Sequence, residues 1–317
     1  MSDVLSLVGP VFALILLGLA AVRLRLLDTA ALRGMTDVVF YAGLPALVAL
    51  SIIQAPPLQV ATIAGSFLGG AVLLFFVNLA LARRLLGQPL ANASVFALDS
   101  VYGNTGMLGI PVISAAYGPD GLAELMAIIA FHSAVLLPLA TAFLEMGGSH
   151  QGSGRGSGPA RGFWGVLRAT LPGVARNPIV VAIVLAFAWR QLGIPLPAAP
   201  TRLLGMIAQA GTPMALFCLG ATLPTPRGWH GLPEVALSCV LKLAVMPVVI
   251  GAIAWLAGVR GVAFSAVIVT AAMPTGANAF MLARRFETML EASATTVLVA
   301  TGVSMVTLTV LLGLLPR

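Results

Sequence analysis

The sequence predicts an all-α integral membrane protein of ten spans arranged as two inverted five-helix repeats, and three observations carry that reading. Apolar residues make up 59% of the 317-residue chain and charged ones only 9%, against roughly 25% charged in soluble domains; the mean hydropathy is +1.04. Turn signals then divide the chain into ten apolar runs, each near the 20 or so residues that cross a bilayer. Two of these runs, in corresponding positions of the two halves, are interrupted by Gly, Pro and Asn.

In chain order the predicted spans fall near 4–22, 36–54, 60–82, 91–116, 121–145, 174–191, 201–223, 233–257, 261–285 and 290–315. Met1, Ser2 and Asp3 lack the basic start and small-residue cleavage site of a signal peptide, so the first run is expected to stay as a span. Residues 1–145 form the first predicted unit, 146–172 a flexible Gly- and Ser-rich cytoplasmic linker, and 173–317 the second unit. Neither a strand before that linker nor dinucleotide spacing within it supports a nucleotide loop. Five spans per unit is an odd number, which forces the second unit to enter the membrane upside down. An echo between Gly43-Leu44-Pro45-Ala46-Leu47 in the second span and Gly211-Thr212-Pro213-Met214-Ala215-Leu216 in the seventh agrees with this pairing.

Charge placement sets the orientation. The net charge of +7 comes from sixteen arginines and one lysine, and the arginines sit between the apolar runs, as in cytoplasmic loops, rather than in a nucleic-acid-binding patch. With the N-terminus outside, the inner side holds Arg23, Arg25, Arg33, Arg83, Arg84, Arg155, Arg161, Arg168, Arg176, Arg227, Arg284 and Arg285, twelve in all. The outer side holds four, Arg190, Arg202, Arg260 and Arg317. Both termini are therefore predicted outside, in a cell inner membrane.

Several function classes find no support. Cys218 and Cys239 lie in apolar runs, which argues against a structural disulfide or thiol-metal site. None of His132, His150 and His230 is within four residues of another, so the zinc-protease motif is missing, and Leu241 rather than Gly precedes Lys242, so there is no P-loop. Ser100 has no base nearby beyond Asp99 to make it a nucleophile. The chain is read as no enzyme, with no cofactor and no metal.

The interruptions carry the functional reading. Between Asp99 and Pro111 the chain places Gly103, Asn104, Thr105, Gly106, Gly109 and Pro111 inside an apolar run, and between Ala272 and Phe280 it places Pro274, Thr275, Gly276 and Asn278. Pro lacks an N–H and Gly tolerates non-helical dihedrals, so each helix is expected to break there. Lipid cannot satisfy the freed backbone groups, and such a break survives only where protein or a polar cavity covers it. Paired breaks in two halves are the pattern of a secondary transporter, with positive half-helix ends available to an anion and freed carbonyls to a cation.

At these residues the chain resembles the auxin efflux carrier family, which includes plant PIN-type carriers and bacterial relatives associated with malonate, malate or similar acids. The resemblance rests on Asn104-Thr105-Gly106-Met107-Leu108-Gly109-Ile110-Pro111 and on Met273-Pro274-Thr275-Gly276-Ala277-Asn278-Ala279-Phe280-Met281-Leu282-Ala283-Arg284, and the ten-span length extends it over nearly the whole chain. It implies a fold similar to bile-acid:sodium symporters, with the fourth and ninth helices broken and crossing. Spans 1, 2, 6 and 7 would form a scaffold, and spans 3–5 and 8–10 a transport unit with elevator-like motion. The substrate site of the family falls at the crossing, so Asn104, Pro111, Pro274 and Asn278 inherit that role by motif match. The long hydrophilic central loop of plant members is missing, which favours the bacterial branch.

Around the crossing, Thr105, Gly106 and Thr275 complete the candidate substrate-binding set. The amides of Asn104 and Asn278 can donate to a carboxylate, and both also suit capping of a broken helix. Asp99 is the one acidic residue well inside an apolar run; an intramembrane carboxylate costs roughly 2.5–3.5 kcal/mol on insertion scales, which makes it a candidate for proton coupling, with a structural pairing to a cation or a hydroxyl as the alternative. Lys242, with apolar neighbours on both sides, joins Asp99 as a coupling candidate that either attracts an anion or partners Asp99, with snorkelling toward an interface as the alternative, and His132 is a further candidate for proton relay, with helix packing as the alternative. Gly65 and Gly69 have the small-xxx-small spacing of a helix contact. The expectation is a carrier of a small organic anion, a carboxylate or auxin-like acid, driven by protons or membrane potential, embedded in the lipid bilayer and compatible with a homodimer. A sodium-coupled symporter of the same fold, or a passive channel or sensor on that scaffold, is the alternative.

Overall fold

Helix after helix follows the apolar runs in a computed structural model that describes residues 2–54, 60–147, 176–224 and 231–316. Most of the predicted linker lies outside the described residues, as do Arg155, Arg161, Arg168, Arg227, Arg317, His150 and His230. The first half contains α1 (Ser2–Arg23), α2 (Thr29–Val38), α3 (Leu44–Gln54), α4 (Val60–Leu85), α5 (Leu90–Asp99) and α6 (Ile110–Met146). The second contains α7 (Pro178–Gln191), α8 (Ala198–Ala221), α9 (Leu232–Val240), α10 (Met246–Leu256), α11 (Gly261–Ala271), α12 (Ala277–Arg285) and α13 (Leu290–Leu314). Wide π-type turns at Val39–Gly43 and Leu241–Val245 join α2 to α3 and α9 to α10 without ending the helix, and a third at Thr105–Gly109 opens α6.

Among the described residues, six helices are long and apolar enough to cross a membrane: Thr29–Gln54, Ala61–Leu85, Thr105–Met146, Ala198–Ala221, Leu232–Leu256 and Leu290–Leu314. Four shorter apolar helices accompany them, at Gly9–Arg23, Leu90–Asp99, Pro178–Gln191 and Gly261–Ala271. The long sixth helix is not straight. Gly118, at φ 62° and ψ −152°, takes a conformation closed to L-residues with side chains, and Pro119 follows it, so the chain turns there.

Close helix approach depends on glycine in the contact between α1 and α8. A methyl added to Gly18 would overlap the Phe217 carbonyl oxygen, and one added to Gly220 would overlap the Ile15 carbonyl oxygen. Gly43 and Gly211, the first residues of the two echoing motifs, face one another: a Cβ built on Gly43 would sit 2.6 Å from the Gly211 Cα. The small-xxx-small expectation needs correcting. Among the described residues nothing lies within 4 Å of a Cβ built on Gly65 or Gly69, whereas one built on Gly70 would sit 2.9 Å from the Ile250 side chain of α10. At 100° per residue, a one-residue offset moves the contact to another helix face.

Candidate functional site

Both interruptions fall where the composition placed them. Helix α5 stops at Asp99 and regular turns resume at Thr105; α11 stops at Ala271 and α12 starts at Ala277. The two gaps meet in a single antiparallel bridge between Gly103 and Thr275. The Asn104 amide donates to the Pro274 carbonyl at 2.8 Å, and the Gly276 amide donates to the Tyr102 carbonyl at 2.9 Å. Each gap thus satisfies backbone groups of the other, which the apolar surroundings could not do.

The ends of the broken helices are capped differently on the two sides of the bridge. At the C-terminal ends, the Thr275 hydroxyl donates to the Asp99 carbonyl at 2.8 Å, and the Lys242 ammonium donates to the Ala271 carbonyl at 2.6 Å. At the N-terminal ends, the Asn104 side chain accepts from the Met107 amide at 3.3 Å, while Gly276 precedes α12 with no side-chain cap. First-turn amides have no intrahelical acceptor, so Ala277 and Asn278 bring polar N–H groups to the gap.

A cavity of about 120 Å³ lies against these N-terminal ends. Asn104, Thr105, Gly106 and Asn278, all expected from sequence, line it together with Tyr102, Ser133, Asn177 and Phe40, which were not. Among the described residues, no charged side chain lines it. Tyr102 organises one wall: its hydroxyl accepts from the Asn278 amide nitrogen at 3.0 Å and shares a hydrogen bond with the Ser133 hydroxyl at 2.7 Å. Such an arrangement can offer amide donors and positive helix ends to an anion.

Other predicted residues stand behind the lining. Pro274 and Thr275 act through the bridge, and Pro111 lies in the first turn of α6; none of the three lines the cavity. Asp99, 1% exposed, accepts from the Ser293 hydroxyl of α13 at 2.9 Å. Lys242, fully buried, donates to Ala271 and lies 3.2 Å from the Met246 sulfur, so it does not partner Asp99 as one reading of the sequence held. His132 stacks on Tyr102 with ring centroids 4.4 Å apart and packs edge-on against Phe67. Neither of its buried ring nitrogens has a hydrogen-bond partner among the described residues. The missed residues had no local signal beyond polarity: Tyr102 and Ser133 look like ordinary span residues, and Asn177 before Pro178 looks like a helix cap, which it also is.

Comparison with known proteins agrees with the helical, membrane-crossing character. Residues 3–312 match the model of a family described as membrane transport protein. A protein of Rhizobium meliloti (strain 1021) named "Putative malonate transporter" is 28% identical over 325 residues, which cover 99% of this chain and 97% of the relative. The "Uncharacterized transporter YfdV" of Escherichia coli (strain K12) is 24% identical over 87% of this chain and 86% of its own. A rice protein (Oryza sativa subsp. japonica) named "Probable auxin efflux carrier component 5a" is 29% identical over 45% of this chain and 41% of its own. These relatives bear the names of transporters rather than enzymes. With the match running over almost its whole length, the chain belongs to the membrane transport protein family, the auxin efflux carrier family whose motifs its two interruptions resemble.

Proposed function

We propose that the protein is a secondary carrier of a small organic anion, a carboxylate, which binds where the two interruptions meet. One observation carries this reading: two broken helices joined by reciprocal backbone hydrogen bonds, with Asn104 and Asn278 lining a cavity against their N-terminal ends. At about 120 Å³ the cavity is well below the roughly 300–1,000 Å³ of sites for drug-sized ligands, which favours a short acid over an aromatic one. The Rhizobium relative, whose name carries malonate, points the same way.

In this reading the shorter helices and the broken pairs complete ten spans in two inverted units, with both termini outside. Contacts between loops fit the alternation of such a ten-span path. Gln88, after the third span, donates to Glu234 at the start of the eighth at 2.7 Å, and Thr288, after the ninth, bonds Asn92 at the start of the fourth. These four positions share one side in a ten-span path. On the other side, Arg190 donates to the Ile52 carbonyl at 3.3 Å and Ser265 to the Pro316 carbonyl at 2.9 Å. The paired interruptions move as one body against a scaffold of spans 1, 2, 6 and 7, in which spans 1 and 2 meet span 7 tightly at Gly18, Gly220, Gly43 and Gly211.

The coupling is assigned to protons or membrane potential rather than sodium. The carbonyls ending α5 and α11, which would hold a bare cation, already accept from Thr275 and Lys242. Asp99 is the proton-carrying candidate, a buried carboxylate held among the described residues by the Ser293 hydroxyl. Uptake of labelled acids into proteoliposomes, with proton and sodium gradients imposed separately, tests the reading. Saturable uptake with counterflow, unaffected by sodium, is expected; unsaturable conductance would favour a channel. Asp99→Asn is expected to flatten the dependence of uptake on external pH while leaving counterflow at fixed pH within about threefold, since the amide still accepts from Ser293 and a threefold change is under 1 kcal/mol. An unchanged pH profile removes Asp99 from the coupling.

A further inference from the structure

We infer that Ser133 of α6 is a substrate-binding residue: it donates its hydroxyl proton into the cavity, aimed there by a hydrogen-bond chain that runs from Asn278 through Tyr102. This rests on the carrier reading above and adds to it a residue that neither interruption contains. The Asn278 side chain donates to the Tyr102 hydroxyl at 3.0 Å, and the Tyr102 and Ser133 hydroxyls lie 2.7 Å apart. All three residues line the cavity.

Proton counting sets the direction of the chain. A phenol carries one O–H proton and a serine hydroxyl carries one. Asn278 already donates to the Tyr102 oxygen, so the phenol proton has the Ser133 oxygen as its acceptor or, among the described residues, none. Tyr102 is 4% exposed, whereas Ser133 is half-buried. A stranded donor costs most where water is scarcest. Tyr102 therefore donates to Ser133, and the serine proton is the one released to the cavity.

A second observation, independent of that count, shows the same proton unspent. Hydroxyls elsewhere in these helices return their proton to the carbonyl one turn back, as Ser94 does to Leu90 at 2.6 Å and Thr141, further along α6, to Leu137 at 2.8 Å. The bond that Ser133 makes among the described residues is the one to Tyr102. Tyr102 is itself held from two directions: its backbone carbonyl accepts from the Gly276 amide at 2.9 Å, and its ring stacks on His132 with centroids 4.4 Å apart. The hydroxyl it presents to Ser133 is thus fixed before a substrate arrives, and a donor aimed in advance loses less freedom on binding.

Counterflow kinetics of labelled malonate and labelled acetate in proteoliposomes, with Ser133→Ala, Ser133→Thr and Tyr102→Phe, test this. For whichever acid is carried, Ser133→Ala should raise KM by about tenfold, as for one hydrogen bond to a charged group, and leave the maximal rate within about twofold. Ser133→Thr keeps the proton and should stay within about threefold of the natural KM. A position that only needs a small side chain would reverse that order, tolerating alanine better than threonine, and would overturn the inference. Tyr102→Phe keeps the ring on His132 and removes the link; Ser133 then retains its proton but loses its aim, so KM should rise by about threefold, less than with Ser133→Ala. An unchanged KM in Ser133→Ala, or a larger rise in Tyr102→Phe than in Ser133→Ala, would overturn the inference and leave the carrier reading standing. If the threonine form does not accumulate, the comparison of Ser133→Ala with Tyr102→Phe decides. A natural chain that takes up neither acid would overturn this inference together with the carrier reading.

Discussion

Alanine at both Asn104 and Asn278 is expected to lower kcat/KM for the transported acid by about a hundredfold or more. Each side chain lines the cavity with an amide, and a hydrogen bond to a charged group contributes about 1.5–3 kcal/mol, or tenfold and upward per bond. The two residues differ in what else they do. Asn104 also accepts from the Met107 amide and so holds the opening turn of α6; its loss combines binding with local order. Asn278 donates to the Tyr102 hydroxyl, which leaves its side-chain oxygen and a second N–H for the cavity. Asn104→Ser separates the effects, because serine retains a capping oxygen while withdrawing the amide nitrogen and its longer reach. Single-substrate kinetics on both single variants, the double variant and Asn104→Ser check this. If both single alanine variants transport at natural rates, the site assignment is wrong.

The largest structural effect is expected at Gly18 and Gly220. A Cβ at either position falls on a backbone carbonyl of the facing helix, Phe217 or Ile15, and backbone cannot rotate aside as a side-chain tip can. Alanine at each should therefore force α1 and α8 apart and cost about 1–3 kcal/mol, the usual range for overpacking. Neither residue lines the cavity, so the KM of the protein that does fold should stay within about twofold, a difference below 1 kcal/mol. Thermal unfolding in detergent, alongside KM measured in liposomes, distinguishes the two consequences. Unchanged unfolding of the double variant Gly18→Ala, Gly220→Ala would contradict the close contact.

What the sequence made legible follows from range. Gly, Pro and Asn inside apolar runs state a local impossibility for a continuous helix in lipid, so Gly103 to Gly109 and Pro274 to Asn278 were readable as breaks. Their approximate partnership followed from position in the two halves. The residues that finish the site were not readable, since their roles depend on partners far along the chain. Tyr102 meets Ser133 and Asn278, Asp99 meets Ser293, and Lys242 reaches Ala271. Lys242 stood out as a lone buried charge, but sequence cannot tell a carboxylate partner from a helix-ending carbonyl. Asn177 was hidden differently: a cap before Pro178 already explains it, and its second face appears only when α7 is seen against the interruptions. The glycines teach the same lesson. The spacing of Gly65 and Gly69 is that of a contact, yet only the neighbouring helix decides that Gly70 makes it.

The central claim, that the two interruptions share one substrate cavity, is tested most directly by substrate protection. Cysteine is introduced singly at Gly106, where an added Cβ meets nothing within 4 Å among the described residues, and at Ala277, with Cys218 and Cys239 replaced by alanine. Both positions line the cavity. Saturating malonate should slow alkylation of Gly106→Cys and of Ala277→Cys by a water-soluble maleimide with the same half-effective concentration, because one ligand covers both. Protection at one position only, or two unrelated concentration dependences, would contradict a shared site.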